Sequence, residues 1–324
     1  MTNKRILILG VTASGKGKLA FELAKSLNAE IVSIDSMKVY RRMDIGTAKP
    51  PKEIRSQIPY HLIDVVEPSE SFSVARFLEL ANASIREIED KNKSVVAVGG
   101  AALYIKALLF GLFEGPGADE QIRAELKAQA KAEGLQSLYE QLQKIDPQAA
   151  SRISANDAKR IIRALEVYRL TGKPISSFQS QWNVARASSP CLHGQDGRAT
   201  KWTIIGLRRD KTEESKRINA RVKKMIDAGL VDEVKGLLAE EKPLSDQARL
   251  AIGYAEIIDH VSGKTTLDEA IELIKKNTRK LAKAQRTWFK TFKNVLWLDL
   301  TPDETLDEIL DKTLALLPNK AQSG

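Results

Sequence analysis

A glycine-rich turn that ends in a lysine is the first group of residues with a spacing suited to chemistry. Residues 6 to 17 read ILILGVTASGKG, and the pattern Gly10-x-x-x-x-Gly15-Lys16 lies between an apolar run and the amphipathic run KLAFELAKSL. Backbone N–H groups at the start of a helix bind phosphate, and the lysine adds a point charge. We therefore predict a phosphate-binding loop; the alternative is a glycine-rich turn that binds no ligand.

The residue after this lysine departs from the usual pattern. A serine or threonine hydroxyl normally follows the lysine and reaches a metal ion or a phosphate oxygen. This chain has Gly17 at that position. The sequence thus predicts a loop that can surround a phosphate but lacks one of its usual ligands.

A carboxylate follows the second apolar run of the chain. Asp35 comes after Glu30 to Ser33, and the turn Val98-Gly99-Gly100 follows a third such run. In a parallel sheet the carboxyl ends of neighbouring strands share one crevice, so Asp35 is expected near the phosphate loop. There it would hold Mg²⁺ or act as a general base, unless it only caps a turn.

The elements that must position these residues alternate between strands and helices. Such alternation predicts an α/β fold with a parallel sheet. The predicted strands are Ile6 to Leu9, Glu30 to Ser33, Val95 to Val98, Thr203 to Leu207 and Val295 to Leu298. From 115 to 199 only helical spacing recurs, so we predict a core of residues 1–114 and 200–324 with an all-helical insertion at 115–199.

Composition narrows the class of protein. The chain has 324 residues, 43% of them hydrophobic, with no long apolar span and no signal-peptide pattern, so we predict a cytoplasmic protein without a membrane partner. One cysteine excludes an intrachain disulfide and a cysteine-rich zinc site. The net charge is +9, and Ile271 to Lys293 carries eight cations against Glu272, which favours nucleic-acid backbone contact over a solvated face.

A series of motifs in order and spacing resembles the tRNA dimethylallyltransferases, also called tRNA isopentenyltransferases. The motifs extend over almost the whole chain: GVTASGKG, DSMKVYRRMDIGTAKP, HLIDVVEPSESFSVARF, VGGAALYIKALL, NDAKRIIRALEVYRLTGKP, RINARV, AGLVDEV, AIGYAE and TRKLAKAQRTWF. The resemblance implies a P-loop NTPase-like core, with nucleotide (ATP) binding, and a helical insertion that binds the tRNA anticodon stem-loop. It also implies transfer of a dimethylallyl group from dimethylallyl diphosphate to N6 of adenosine 37, with Mg²⁺, by a monomer.

The resemblance also implies roles for residues at matching positions. Asp35 would be the general base at the adenine N6, which reaches the site by base flipping. The diphosphate would be held by Gly10, Thr12, Ala13, Ser14, Gly15, Lys16, Gly17 and Arg217. The tRNA would be contacted by Asp35, Ser36, Met37, Lys38, Ala101, Arg123, Lys159, Arg160, Ile161, Ile162 and Arg163. No metal ligand is assigned.

Several positions differ from the family pattern. The family has serine or threonine at 17, glutamine at 38 and threonine at 101, whereas this chain has Gly17, Lys38 and Ala101. Loss of the two hydroxyls is expected to slow turnover. Additional cations are expected to compensate by neutralising diphosphate or RNA phosphates, namely Lys38, Arg42, Lys223 and Lys280.

Three functions are consistent with these residues. The first is an active tRNA dimethylallyltransferase, and the second is a catalytically impaired relative that still binds tRNA. The third is an ATP-using nucleotide kinase or another P-loop enzyme, against which Gly17 speaks, because Mg-ATP needs the hydroxyl at that position.

Overall fold

A computed structural model describes residues 4–112, 115–178 and 202–318. These form two compact units, one of residues 4–109 and 202–318 and the other of residues 110–178. The first division thus falls five residues before the predicted boundary at 115, and the predicted boundary at 199 lies outside the described residues. No helix in the described ranges has the length and apolar character needed to cross a membrane.

A six-stranded parallel sheet forms the centre of the larger unit. Its strands are β1 (Arg5–Gly10), β2 (Ala29–Ile34), β3 (Tyr60–His61), β4 (Ser94–Gly99), β5 (Trp202–Arg208) and β6 (Val295–Asp299), in the order β3-β2-β4-β1-β5-β6. The five predicted strands are confirmed; β3 was missed because two residues carry no detectable periodicity. Leu9 pairs with Gly99, and Ile34 pairs with the same Gly99, so β1, β2 and β4 end at one level.

Helices connect the strands and cover both faces of the sheet. In the larger unit they are α1 (Lys16–Ser26), α2 (Lys52–Arg55), α3 (Val74–Asp90), α4 (Ala102–Phe110), α9 (Lys211–Asp227), α10 (Leu230–Leu238), α11 (Asp246–Arg249), α12 (Tyr254–Val261), α13 (Leu267–Phe289) and α14 (Leu306–Ala315). Leu19 and Leu23 of α1 pack with Ile309 of α14 on one face of the sheet. Burying these side chains fixes where α1, and therefore the loop before it, leaves β1.

Side chains cap the starts of two helices of the larger unit. Asp210 accepts a hydrogen bond from the Thr212 N–H and begins α9, and Thr266 with Glu269 forms a capping box at the start of α13. Both devices satisfy N–H groups that a helix start leaves without partners. The long basic helix therefore begins at Leu267, directly after its capping threonine.

The smaller unit is helical throughout its described residues. It contains α5 (Glu120–Glu133), α6 (Leu135–Ile145), α7 (Pro147–Ala150) and α8 (Ala158–Thr171). Its own core includes Leu126, Leu138, Leu142 and Leu165, one or more from each long helix. Gly172 closes α8 in the left-handed conformation at φ 68°, as its position before Lys-Pro predicted.

Candidate active site

The phosphate loop runs from Gly10 to Lys16 at the carboxyl end of β1. Gly15 has φ +99°, a conformation that favours glycine, and it turns the chain into α1. In the described part of the chain, the N–H groups of Gly15, Lys16 and Gly17 have no acceptor. Three consecutive donors therefore point out of the helix N-terminus, as anion binding requires.

Three arginines hold the loop from the side of β5 and α9. Arg221 Nη1 donates to Thr12 Oγ1 at 3.2 Å, and Arg217 Nε donates to the Ala13 carbonyl at 2.8 Å. Arg209 Nε donates to the carbonyl of the buried Ser14 at 3.1 Å. Each of residues 12, 13 and 14 is thus held by its own guanidinium, which fixes the loop and adds positive charge beside it.

A glutamine ties this loop to the turn after β4. Gln285 of α13 accepts from the Thr12 N–H at 2.8 Å and donates to the Gly100 carbonyl at 2.9 Å. A Cβ at Gly100 would lie 2.5 Å from the Gln285 amide nitrogen, so only glycine permits this approach. Ala101 follows, half-buried, at the start of α4. The two turns predicted to share a crevice are joined by one side chain.

Asp35 lies at the end of β2, next to both turns. Its Oδ1 accepts from the N–H groups of Met37 at 2.9 Å and Lys38 at 3.3 Å, which fixes the carboxylate and leaves Oδ2 for another partner. This is the turn-capping contact that the sequence left open, and it is compatible with a general base. Ser36, Met37 and Lys38 are only partly exposed along the same turn.

The cations near Asp35 change one another's protonation. Burial, with the charges of Arg221 and Lys38, lowers the pKa of Lys16 to about 7, while Asp35 opposes the shift. Burial also lowers the pKa of Lys38 and of Arg221, again against Asp35. Within the described residues, Lys16 Nζ donates only to the Val11 carbonyl, at 3.2 Å. The site therefore holds more positive charge than its carboxylate balances.

Few oxygen donors are placed here for a protein-held Mg²⁺. Mg²⁺ takes oxygen ligands in octahedral geometry, usually with one or two carboxylates. Gly17 supplies no hydroxyl, and Asp35 offers one oxygen, Oδ2, that accepts no hydrogen bond within the described residues. Across the residues that the structure describes, no three acidic, histidine or cysteine side chains group as a metal site.

One of the cations predicted to neutralise phosphates is engaged elsewhere. Arg42 instead pairs with Glu67 at 2.6 Å and with Glu240 at 2.6 Å, so that prediction is wrong. It has φ 60°, a left-handed conformation that favours glycine, and the two ion pairs hold this strained backbone in place. Lys223 and Lys280 are exposed on α9 and α13.

The tRNA-contact residues predicted in the insertion divide into two groups. Lys159 and Arg160 are exposed at the start of α8, whereas Ile161 and Ile162 are buried in the core of the unit. Arg123 and Arg163 pair with the fully buried Glu166, at 2.9 Å and 2.7 Å. The helix presents Lys159 and Arg160 to solvent, and its other predicted residues build the unit itself.

Comparison with known proteins agrees with this geometry. The family model described as IPP transferase matches residues 38–292. The chain belongs to this family. It is similar to the tRNA dimethylallyltransferase of Geobacter metallireducens, with 46% identity over 91% of this chain and 92% of that protein. It is also similar to that of Carboxydothermus hydrogenoformans, with 44% identity over 97% of each chain. The tRNA dimethylallyltransferases are enzymes, so the chain belongs to a family of enzymes.

Solved structures of IPP transferases share the fold. The full-length tRNA isopentenylpyrophosphate transferase of Bacillus halodurans matches with a TM-score of 0.66 and 40% identity, over 97% of each chain. A eukaryotic dimethylallyltransferase whose structures show it acting on tRNA matches with a TM-score of 0.75 and 26% identity, over 99% of this chain and 82% of that one. The core is therefore the P-loop NTPase-like core of this family.

Sequence reasoning gave no role to Arg209, Arg221 or Gln285. A signal existed for Arg221, since it lies four residues after Arg217 and thus on the same helix face. Arg209 and Gln285 reach the loop from 195 and 273 positions away, and no local spacing marks them.

Proposed function

We propose that this chain transfers a dimethylallyl group from dimethylallyl diphosphate to N6 of adenosine 37 in tRNA. One observation carries the proposal: Asp35 lies at the same sheet edge as a phosphate loop held by Arg209, Arg217 and Arg221. A base and a diphosphate site meet there. Family membership supplies the identity of the two substrates.

The residues support a direct transfer. A bond forms between adenine N6 and the first carbon of the dimethylallyl group, while the bond from that carbon to the diphosphate oxygen breaks. Asp35, whose Oδ2 accepts none of the turn's N–H bonds, takes the proton from N6. The N–H groups of Gly15 to Gly17 and the charge of Lys16 stabilise the departing diphosphate. No covalent enzyme intermediate is needed.

The RNA would be bound by exposed cations. Lys159 and Arg160 would contact the anticodon stem-loop on the insertion, and the solvent face of α13 offers further lysines. The adenine must leave its stack to reach Asp35. Mg²⁺ enters this proposal as a counterion carried by the diphosphate and has no protein ligand assigned. ATP binding at the same loop, a monomeric state and a cytoplasmic location remain predictions.

Prenyl transfer to RNA tests the proposal directly. The full chain is incubated with Mg²⁺, labelled dimethylallyl diphosphate and an unmodified anticodon stem-loop, and label in the RNA is counted. Asp35→Asn should lower kcat by about 10² to 10⁴ with little change in KM for the diphosphate. The matched control, Asp303→Asn, changes an exposed aspartate outside the site and should behave as the unsubstituted chain.

The outcomes separate the candidate functions. Label in RNA that disappears with Asp35→Asn supports the transferase and its base. RNA binding without transfer would instead indicate an impaired relative. Phosphate transfer from ATP without RNA would indicate a kinase, a function for which the comparisons with family members give no support.

A further inference from the structure

The phosphate site has a surplus of positive charge that the established contacts do not use. Lys16, Lys38 and Arg221 influence one another electrostatically, and Asp35 is the carboxylate among them. Arg221 is held on Thr12 and Lys16 on the Val11 carbonyl. Lys38 Nζ has no acceptor in the described part of the chain. A buried cation without a charged partner is costly, so an anion that binds here would be stabilised by these groups.

The backbone directs Lys38 to this place. Its N–H donates to Asp35 Oδ1, which fixes the turn at the end of β2, level with the ends of β1 and β4. The residue is only partly exposed, so its ammonium is less screened by water than one at the surface. Lys38 is therefore placed as a component of the crevice and not as a surface charge.

An ammonium suits an anion better than a base edge. Lysine has three donors and no acceptor, whereas the pairing edge of adenine presents both a donor and an acceptor. An amide such as that of glutamine can both donate to and accept from such an edge, whereas an ammonium cannot accept. A multiply charged diphosphate matches an ammonium in charge and accepts from all its donors.

Gly17 supplies the second observation. No atom lies within 4 Å of a Cβ built at this glycine, so the space beside the helix N-terminus is open. The residue provides no hydroxyl to a metal ion, so Mg²⁺ has fewer protein ligands here than the usual loop sequence would offer. The protein's own cations are therefore available to neutralise a diphosphate in its place.

We propose that Lys38 completes a cationic diphosphate site in which protein charge replaces protein-held Mg²⁺, so that this chain binds pyrophosphate without the metal. The inference deepens the proposed function and rests on it for the identity of the site. Lys38 is thereby assigned to the leaving group, and not to the target base.

Calorimetric titration of the full chain with inorganic pyrophosphate, in EDTA and in Mg²⁺, tests this assignment. In EDTA the unsubstituted chain should bind with a Kd within about threefold of that in Mg²⁺. Lys38→Gln should weaken binding about tenfold in EDTA and less in Mg²⁺, while Lys38→Arg should restore it. Lys235→Gln removes an exposed lysine of α10, to which no role in the site is assigned, and is the matched control.

A second variant keeps the test informative. Gly17→Thr adds the hydroxyl without a clash and should make binding several-fold stronger in Mg²⁺ than in EDTA. Gly17→Ala adds a Cβ without a hydroxyl and should not. Thermal unfolding of each variant confirms that it is folded.

Two results would overturn the inference. One is pyrophosphate binding by the unsubstituted chain only when Mg²⁺ is present. The other is unchanged affinity of Lys38→Gln in EDTA. Because the titration contains neither RNA nor prenyl donor, metal-free binding without prenyl transfer would contradict the proposed function alone.

Discussion

Two of the clusters in which cations lie around a carboxylate, at Glu166 of the insertion and at Asp35 beside the phosphate loop, differ in how their charge is balanced. In the insertion, Glu166 is in direct contact with Arg123 and Arg163 and also accepts the Asp119 N–H at 2.7 Å. At the phosphate loop, no ion pair within the described residues joins the cations to Asp35, whose Oδ1 accepts backbone N–H groups instead. The insertion cluster is therefore closed, since its carboxylate pairs directly with its cations. The loop cluster is open, since its cations remain available to another anion.

The protonation of the two clusters reflects this difference. Burial alone would raise the pKa of Glu166, but its bonds from Arg163, the Asp119 N–H and Arg123 outweigh burial and lower it. At the loop, burial lowers the pKa of Lys16, and the neighbouring cations add to the shift. The paired cations of the insertion thus stabilise its fold. The cations of the loop have a lowered pKa, and a bound anion would stabilise their charged form.

The largest expected effect comes from opening the closed cluster. Glu166→Gln removes the buried carboxylate that Arg123 and Arg163 share, leaving Arg123 only its pair with the exposed Glu120, and the free energy of unfolding of the insertion should fall by about 3 to 5 kcal/mol. Urea denaturation measures it. The control Glu125→Gln removes an exposed carboxylate, paired with Arg169 at 3.3 Å, and should cost about 1 kcal/mol or less. Equal losses would contradict the distinction between the clusters.

The distinction between paired and unpaired cations can also be tested on α13, which carries cations of both kinds. Lys275 pairs with Glu272 and Arg286 with Glu214. The exposed lysines on its solvent face are Lys276, Lys280 and Lys283, spaced four and three residues apart. They form no ion pair within the described ranges. Replacing these three with glutamine should weaken RNA binding about tenfold at 0.1 M salt and reduce the salt slope by about two.

A triple variant with the same loss of charge is the control for that experiment. It replaces three ion-paired lysines, Lys91, Lys264 and Lys312, with glutamine. RNA affinity measured by fluorescence anisotropy should change little, since these charges are already balanced. An equal loss of affinity in both variants would show that only net charge matters, and not the face of α13.

A smaller effect should appear in the pH dependence of the open cluster. Lys16 has a pKa of about 7 beside Lys38, Arg221 and Asp35, so it loses charge as pH rises above 7. A bound anion raises that pKa and binding takes up a proton, so pyrophosphate affinity should fall about fivefold from pH 7 to pH 8. In Lys16→Arg the side chain stays charged, so the pH profile of this variant shows the effect of ligand ionisation alone. Parallel pH profiles of pyrophosphate affinity for the two proteins would contradict the prediction.

Much of the fold follows from local sequence, and the limits have physical causes. Periodicity predicted β1, β2, β4, β5 and β6, because each is a largely apolar run between turn residues. It could not predict β3, whose two residues owe their strand state to pairing with Ile31 and Val32. Nor could it predict the left-handed Arg42, which two distant glutamates hold in place.

The site shows the same division. Local spacing and family resemblance placed the phosphate loop and Asp35, and the structure brings these together at one sheet edge. The partners that fix them, Arg209 and Gln285, come from distant segments, and only the folded chain reveals them. Family resemblance assigned Arg123 and Arg163 to tRNA but could not show that Glu166 already occupies both.

The tie between the phosphate loop and Gln285 sets the order in which the site can be completed during synthesis. Thr12 of the loop leaves the ribosome 273 positions before Gln285. In the same way, the Asp44 N–H donates to Glu233, which is made 189 positions later. At about 5 to 20 residues per second, the nascent loop waits roughly 14 to 55 seconds for its glutamine. A product truncated before residue 285 would carry the motif but not the tie that joins it to β4.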